Sequence, residues 1–170
     1  MKTFQQFIDD IPELDESSMT RLKSQSDKGG TAVMSASRGN LSAKENRARA
    51  KKLDRTIRSK FGKGATKVTG KYDEKDEKTG ETKRVKERSH VIQSGKMGKR
   101  KFKKAVKSLG KKYGQDSVIT QQKGDKSATL KRTRKGGLPK RNIKLGKMRP
   151  GRSGENETQK KGKTFTYDTK

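Results

Sequence analysis

A large positive charge, combined with a shortage of apolar residues, sets the first limit on what this chain can fold into. Its 170 residues carry 47 Lys and Arg against 19 Asp and Glu, a net charge of +28, and only 24% of them are hydrophobic. A typical globular domain is roughly 45–50% apolar. We therefore expect part of the chain to be a tail, or to become ordered only on a partner.

Composition excludes several classes of protein and site. The chain has no cysteine, which excludes disulfides, thiolate zinc sites and thiol catalysis. It has a single histidine, which excludes a multi-histidine metal site. No run of about 18 apolar residues occurs, so the sequence predicts no transmembrane helix, and the start lacks the apolar stretch of a secretory signal. We predict no metal, no cofactor and no membrane partner.

Charge and turn-forming residues divide the chain into four segments. Residues 1–16 are acidic and form a predicted leader, and residues 17–30 end in turn-forming residues and are predicted to be a linker. Apolar residues at strand and helix spacing are concentrated in residues 31–134, which we predict to be a small domain. Residues 135–170 are rich in Gly, Lys and Arg and are predicted to be a basic, largely disordered tail.

The central segment has the pattern of an α+β domain. The elements follow the order β-α-β-β-α-β-β, which predicts a small sheet with two amphipathic helices on one face. Ser42 and Glu45 form a capping box, which marks the start of the first helix. The second helix is predicted over about 98–113, where lysines surround one apolar seam formed by Phe102, Val106, Leu109 and Tyr113.

Candidate catalytic groups are few. His90 on a predicted strand could act as a general base, but a lone strand histidine is more often structural or exposed. The carboxylates of the acidic leader lack the ligand spacing of a calcium loop. We therefore predict no catalytic residue and a protein that is not an enzyme.

The basic residues give the stronger functional signal. Lysine and arginine interrupted by glycine, without interleaved aromatic residues, are typical of phosphate contact rather than base stacking. The sequence therefore predicts nonspecific DNA binding through phosphates, with steep salt dependence. The predicted nucleic-acid-binding residues are Lys99, Arg100, Lys101, Lys103, Lys104, Lys107, Lys111, Lys112, Lys131, Arg132, Arg134, Lys135, Lys140, Arg141, Lys144, Lys147, Arg149 and Arg152.

The N-terminal leader has the pattern of a targeting segment. It begins Met-Lys-Thr-Phe-Gln-Gln-Phe-Ile and resembles the capsid-targeting sequence of internal head proteins of T-even-like tailed phages. In that family the segment docks on the prohead core, and a maturation protease cuts after a Leu/Ile-x-Glu triplet. Leu14-Asp15-Glu16 followed by Ser17 matches that triplet. The apolar residues that would dock are Phe4, Phe7, Ile8 and Ile11.

The body of the chain is also similar to a small phage domain without an established activity. The similarity lies in Ser35-Ala36-Ser37-Arg38-Gly39, Glu45-Asn46-Arg47, Glu87-Arg88-Ser89 and Gln115-Asp116-Ser117-Val118-Ile119.

Together these features predict a bacteriophage virion protein concerned with host takeover. The resemblance implies an internal head protein that is packaged with the phage genome, lies in the head interior, and enters the host cytoplasm with the DNA. There it would protect that DNA or block a host defence enzyme. Two rivals stay open: an injected ADP-ribosyltransferase-like enzyme, and an RNA- or ribosome-binding protein. The first rival would use Arg38, Glu45, Glu87 or Ser89.

Overall fold

The structure, a computed structural model, describes residues 14–75, 78–137, 139–152, 157–160 and 163–167. The helices in these residues are α1 (Leu14–Lys28), α2 (Ala43–Phe61) and α3 (Lys99–Lys112). The strands are β1 (Thr31–Ser35), β2 (Thr66–Lys75), β3 (Thr82–Gln93), β4 (Ser117–Gln121), β5 (Ala128–Arg132), β6 (Ile143–Gly146), β7 (Met148–Pro150), β8 (Glu157–Lys160) and β9 (Lys163–Tyr167).

All of these strands belong to one antiparallel sheet, in the order β6-β5-β4-β1-β3-β2-β8-β9-β7. The two edge strands, β6 and β7, are consecutive in the chain and are separated only by Lys147. The sheet must therefore curl until its two edges approach each other, and it is nearly closed. The α+β class is confirmed, but the prediction of a small sheet is wrong.

The helix-side core fills the outer face of the sheet. The capping box of Ser42 and Glu45 is present at the start of α2, where the Ser42 side chain accepts from the Glu45 backbone N–H. The apolar seams of α2 and α3 pack against β1 and β3, and Phe61 meets Phe102 edge to face at 5.6 Å between ring centroids. The predicted seam of Phe102, Val106, Leu109 and Tyr113 is buried.

A second, smaller group, the inner core, lies on the concave face of the sheet. It comprises Leu22 of α1 and residues from five strands, and its buried members are Leu22, Val33, Val68, Val91, Met148 and Phe165. Because Met148 and Phe165 come from the C-terminal strands, those strands contribute directly to the burial of apolar surface.

Two predicted segments differ from the structure. The segment predicted as a linker, 17–30, lies largely within α1, which is fixed to the sheet by a 2.9 Å hydrogen bond from Ser26 Oγ to Gln121 Oε1. The segment predicted as a disordered tail, 135–170, contributes β6 to β9 to the sheet. Both segments become ordered because the curled sheet supplies the edges and apolar surface that they lack alone.

Two further predictions concern the docking residues of the leader and the absence of a transmembrane helix. The predicted docking residues Phe4, Phe7, Ile8 and Ile11 lie outside the described residues. Among the described helices, none is long and apolar enough to cross a membrane.

Gly110 in α3 lies in close contact with β4 and with the residue that follows β5. A Cβ atom built there would lie 2.5 Å from Thr133 Cγ2 and 2.9 Å from Val118 Cγ1. We expect Gly110→Ala to lower the free energy of unfolding by about 1–3 kcal/mol, because overpacking outweighs the better helix propensity of alanine. Urea unfolding measures this. Gly39→Ala, with open space around the new Cβ, is the control, and equal stability of both variants would contradict the packing argument.

Candidate active site

Strand alternation selects which side chains face the concave side of the sheet. On β3, Val91 belongs to the inner core, so Ser89 and Glu87 follow it on the same face at intervals of two residues. On β1, Ser35 follows Val33 in the same way. The lining of the concave face therefore changes from apolar to polar along the strands, and a site begins where the inner core ends.

A cavity of about 350 Å³ lies at this transition, and we refer to it as the inner cavity. Its volume falls in the range of roughly 300–1,000 Å³ that is typical of small-molecule sites. Glu87 is the sole carboxylate among the described residues that line it. The other polar side chains come from six strands and one loop, and they are Ser35, Lys71, Ser89, Gln115, Ser117, Thr158 and Tyr167.

A glycine leaves room beside the carboxylate. Gly70 on β2 is directly opposite Glu87 on β3 in the strand register. A Cβ at this position would lie 3.3 Å from Ser89 Oγ, at the cavity wall. Glycine within a strand often marks a place where a ligand approaches the backbone closely. The wall next to Glu87 therefore has space for a bound molecule.

Hydrogen bonds fix one side of the inner cavity. Ser35 Oγ donates to the Arg88 carbonyl at 2.9 Å and accepts from the Ser37 backbone N–H at 3.0 Å. Gln115 Nε2 donates to the Ser37 carbonyl at 2.9 Å. These bonds hold the end of β1 to β3, and the residues after β1 to the loop before β4, so this wall is preorganised before any ligand binds.

Tyr167 on β9 supplies an aromatic wall. Its ring meets that of Phe165 edge to face, with 6.1 Å between the ring centroids. Burial raises the pKa of the Tyr167 hydroxyl above its ordinary value, so the phenol stays neutral at physiological pH. The side chain therefore offers a cation an uncharged aromatic face.

A more open cleft of about 490 Å³, the vestibule, adjoins the inner cavity. The two share Glu87, Gln115 and Ser117. The vestibule adds the guanidinium groups of Arg38 and Arg134, and Arg134 forms an ion pair with Asp116. A single ligand could therefore place a cation next to Glu87 and an anion near an arginine.

The residues proposed for the rival ADP-ribosyltransferase-like enzyme lie in different parts of the structure. Glu87 and Ser89 line the inner cavity, and Arg38 lines the vestibule. Glu45 instead serves as a helix cap, where hydrogen bonds from Ser42 lower the pKa of its carboxyl group. His90 is 1% exposed and lies on the opposite face of β3, away from Glu87.

Sequence reasoning did not identify Gly70, Lys71, Gln115, Ser117, Thr158 or Tyr167 as site residues. Thr158 and Tyr167 lie in the segment predicted to be disordered. The strand alternation of Thr164-Phe165-Thr166-Tyr167 was the one sequence signal available for Tyr167.

The predicted nucleic-acid-binding residues are spread over the outer surface. The eight on α3 are exposed, and Lys104, Lys107, Lys111, Arg134 and Lys135 share one cleft. Lys131 is half-buried on β5; burial, a hydrogen bond to Lys103 and the charges of Lys103 and Lys107 lower its pKa to about 8. Lys147, Arg149 and Arg152 lie at a different cleft, beside the edge strand β7. None of the described residues that line the inner cavity, except Lys71, is basic.

The predicted cleavage triplet lies at the start of a helix. Leu14, Glu16 and Ser17 belong to the first turn of α1. Cleavage after Glu16 stays a prediction.

Comparison with known proteins identifies the family of this chain. A family model described as the S-Adenosylmethionine lyase family matches residues 32–170. This range includes every strand that lines the inner cavity. No curated protein matches the chain as a relative.

The family match corrects three predictions. The family is one of enzymes, so the prediction that the chain is not an enzyme is wrong, and so is its prediction as an internal head protein that binds the genome. The descriptions of the chain as a capsid protein and as a DNA-binding protein are therefore also wrong. Neither rival hypothesis, an ADP-ribosyltransferase-like enzyme or an RNA- or ribosome-binding protein, is the function of this family. The error has a physical reason: net charge governs association with other molecules and carries no information about the chemistry of a cavity.

His90 makes the stability of the fold depend on pH. Burial lowers its pKa below the ordinary value of about 6.5, Lys67 and Arg88 lower it further, and Asp54 opposes them. The unfolded chain therefore binds a proton more readily than the folded one. We expect the free energy of unfolding to fall as the pH drops below about 6.5 toward the folded pKa. NMR titration of this single histidine, alongside urea unfolding at each pH, measures both quantities, and a folded pKa above 6.5 would contradict the assignment.

Proposed function

We propose that this chain, which belongs to the S-adenosylmethionine lyase family, cleaves S-adenosylmethionine in the inner cavity without adding water. The observation that carries the proposal is the family match over residues 32–170. The chemistry of the inner cavity supports it, because one carboxylate faces a largely apolar, aromatic-walled space.

The charges of the proposed substrate suit the two connected spaces. S-adenosylmethionine carries a sulfonium cation next to apolar carbon, an aromatic adenine, and an amino acid end with an ammonium and a carboxylate. In our proposal the sulfonium lies between Glu87 and the Tyr167 ring, where ion pairing and a cation–π contact both favour it. The substrate carboxylate lies where the inner cavity meets the vestibule, on the side of Arg38 and Arg134 and close to the γ-carbon of the substrate.

The proposed reaction uses a nucleophile that the substrate itself contains. The substrate carboxylate oxygen attacks the γ-carbon of the methionine portion, forming a five-membered lactone. The bond between the γ-carbon and sulfur breaks, and its electron pair stays on sulfur, which becomes a neutral thioether. The products are homoserine lactone and 5′-methylthioadenosine, and no atom is added or lost.

The protein favours this reaction mainly through position and solvation. A carboxylate and a sulfonium are both neutralised in the step, so an environment with less water favours the transition state over the charged substrate. Folding the substrate chain back on itself is the second requirement, because the oxygen must approach the γ-carbon from the side opposite sulfur. The fixed wall formed by Ser35 and Gln115 supports that orientation.

Such an activity would remove a methyl donor from its surroundings. Enzymes that depend on S-adenosylmethionine in the same compartment would lose their substrate. The capsid-targeting leader, the prohead core and maturation protease as partners, DNA or a host defence enzyme as a partner, and the virion location stay predictions that are separate from this activity.

The first test is the reaction itself. Purified protein incubated with S-adenosylmethionine in water enriched in ¹⁸O should produce 5′-methylthioadenosine, detected by mass spectrometry. Homoserine formed later by opening of the lactone should carry ¹⁸O in its carboxyl group. Label in the γ-hydroxyl would instead indicate hydrolysis, vinylglycine would indicate loss of a β-proton, and unchanged substrate would contradict the proposed function.

The second test concerns Glu87. We expect Glu87→Gln to lower kcat/KM by about 10–100-fold, because the loss of a charge-assisted contact is worth about 1.5–3 kcal/mol. Most of the loss should appear in KM, since the sulfonium charge that Glu87 attracts is greatest before the reaction. Glu81→Gln, which changes an exposed residue just before β3, is the matched control and should retain activity. Equal kinetics for the two variants would exclude Glu87 from the site.

A further inference from the structure

A second cavity, of about 190 Å³, lies between α2 and the outer face of the sheet. We refer to it as the outer cavity. Asp54 and Arg55 of α2 line it together with His90 of β3 and Lys67 of β2. Lys67 and His90 are directly opposite each other in the strand register. Since successive β3 side chains alternate between faces, the outer cavity is on the other side of the sheet from Glu87.

Two buried polar atoms of this cavity have no hydrogen-bond partner. They are Asp54 Oδ1 and His90 Nδ1. His90 is 1% exposed, and both atoms are almost completely shielded from solvent. Buried polar groups in native proteins are nearly always hydrogen-bonded, and an unsatisfied one costs about 1–3 kcal/mol. These atoms therefore indicate a missing partner inside the cavity.

The charges around the cavity define the chemistry of that partner. Among the residues that the structure describes, four cationic side chains line it, those of Lys51, Arg55, Lys67 and Arg88, against the single carboxylate of Asp54. Lys67 Nζ lies 3.6 Å from Asp54 Oδ2, which leaves the buried Oδ1 atom free of that contact. An anion is attracted by the cations, but it must bring a hydrogen to bond to Asp54, because two bare oxygen acceptors repel each other.

We propose that the outer cavity binds a protonated oxyanion, inorganic phosphate. Phosphate retains at least one proton at neutral pH and can donate it to Asp54 Oδ1. Its other oxygens accept hydrogen bonds from the surrounding cations, and one further oxygen forms a hydrogen bond with His90 Nδ1. Sulfate has the same shape but carries no proton at neutral pH, so Asp54 excludes it. This proposal does not depend on the proposed lyase activity.

The single histidine of the chain provides a direct probe. The His90 imidazole signals in an ¹H–¹⁵N spectrum of the full-length protein are followed while inorganic phosphate is added at constant ionic strength and pH. We expect a saturable shift with phosphate, and binding of sulfate that is at least about tenfold weaker. Methyl phosphate forms a parallel arm: its second pKa is about 6, so at neutral pH it is mostly without a proton and should bind more weakly than inorganic phosphate.

Substitution of the carboxylate separates this site from general attraction to a basic protein. Asp54→Asn keeps the shape and removes the requirement for a donated hydrogen, so the preference for phosphate over sulfate should disappear. Asp27→Asn makes the same change of charge at an exposed residue of α1 and should leave the preference intact. A response to phosphate that does not saturate, or equal binding of phosphate and sulfate by the unmodified protein, would overturn the proposal.

Discussion

Burial of apolar side chains on both faces of one curled sheet is the constraint on which the rest of this structure depends. Only 24% of the residues are hydrophobic, and most of the buried ones that the structure describes are divided between the helix-side core and the inner core. The inner core exists because α1 and the C-terminal strands cover the concave face with Leu22, Met148 and Phe165. Without them Val33 and Val91 would face water, so both ends of the described chain are integral to the fold.

The sequence predicts the central elements well because their signals are local. The capping box at Ser42 and the seam that begins at Phe102 depend on residues within a few turns of each other, and both are present. The C-terminal strands are different, since β8 is polar and pairs with β2 from far along the chain. Pairing of this kind leaves little apolar periodicity to detect. The inner cavity was missed for the same reason, because Thr158 and Tyr167 complete its lining.

Electrostatics also explains why charge was a poor guide to function here. The lysines of α3 are exposed on the outside of the helix, where each keeps its hydration. The inner cavity, in contrast, is mostly apolar, and Glu87 is the one carboxylate among its described lining residues. A charge in a space with little water interacts more strongly than many charges on a hydrated surface. One acidic residue in a cavity therefore says more about the ligand than the basic surface around it.

Strand β3 positions both the inner and the outer cavity, and its register keeps them apart. Glu87 faces the inner cavity while Arg88 and His90 face the outer one, so a shift of one residue would exchange the two sets of side chains. Pairing on both sides prevents that shift, because His90 lies opposite Met34 of β1 and Lys67 of β2. The same backbone hydrogen bonds thus hold a carboxylate in the inner cavity and a neutral histidine among the cations of the outer one. The chemistry of each cavity follows from the pairing of the strand rather than from residues near it in sequence.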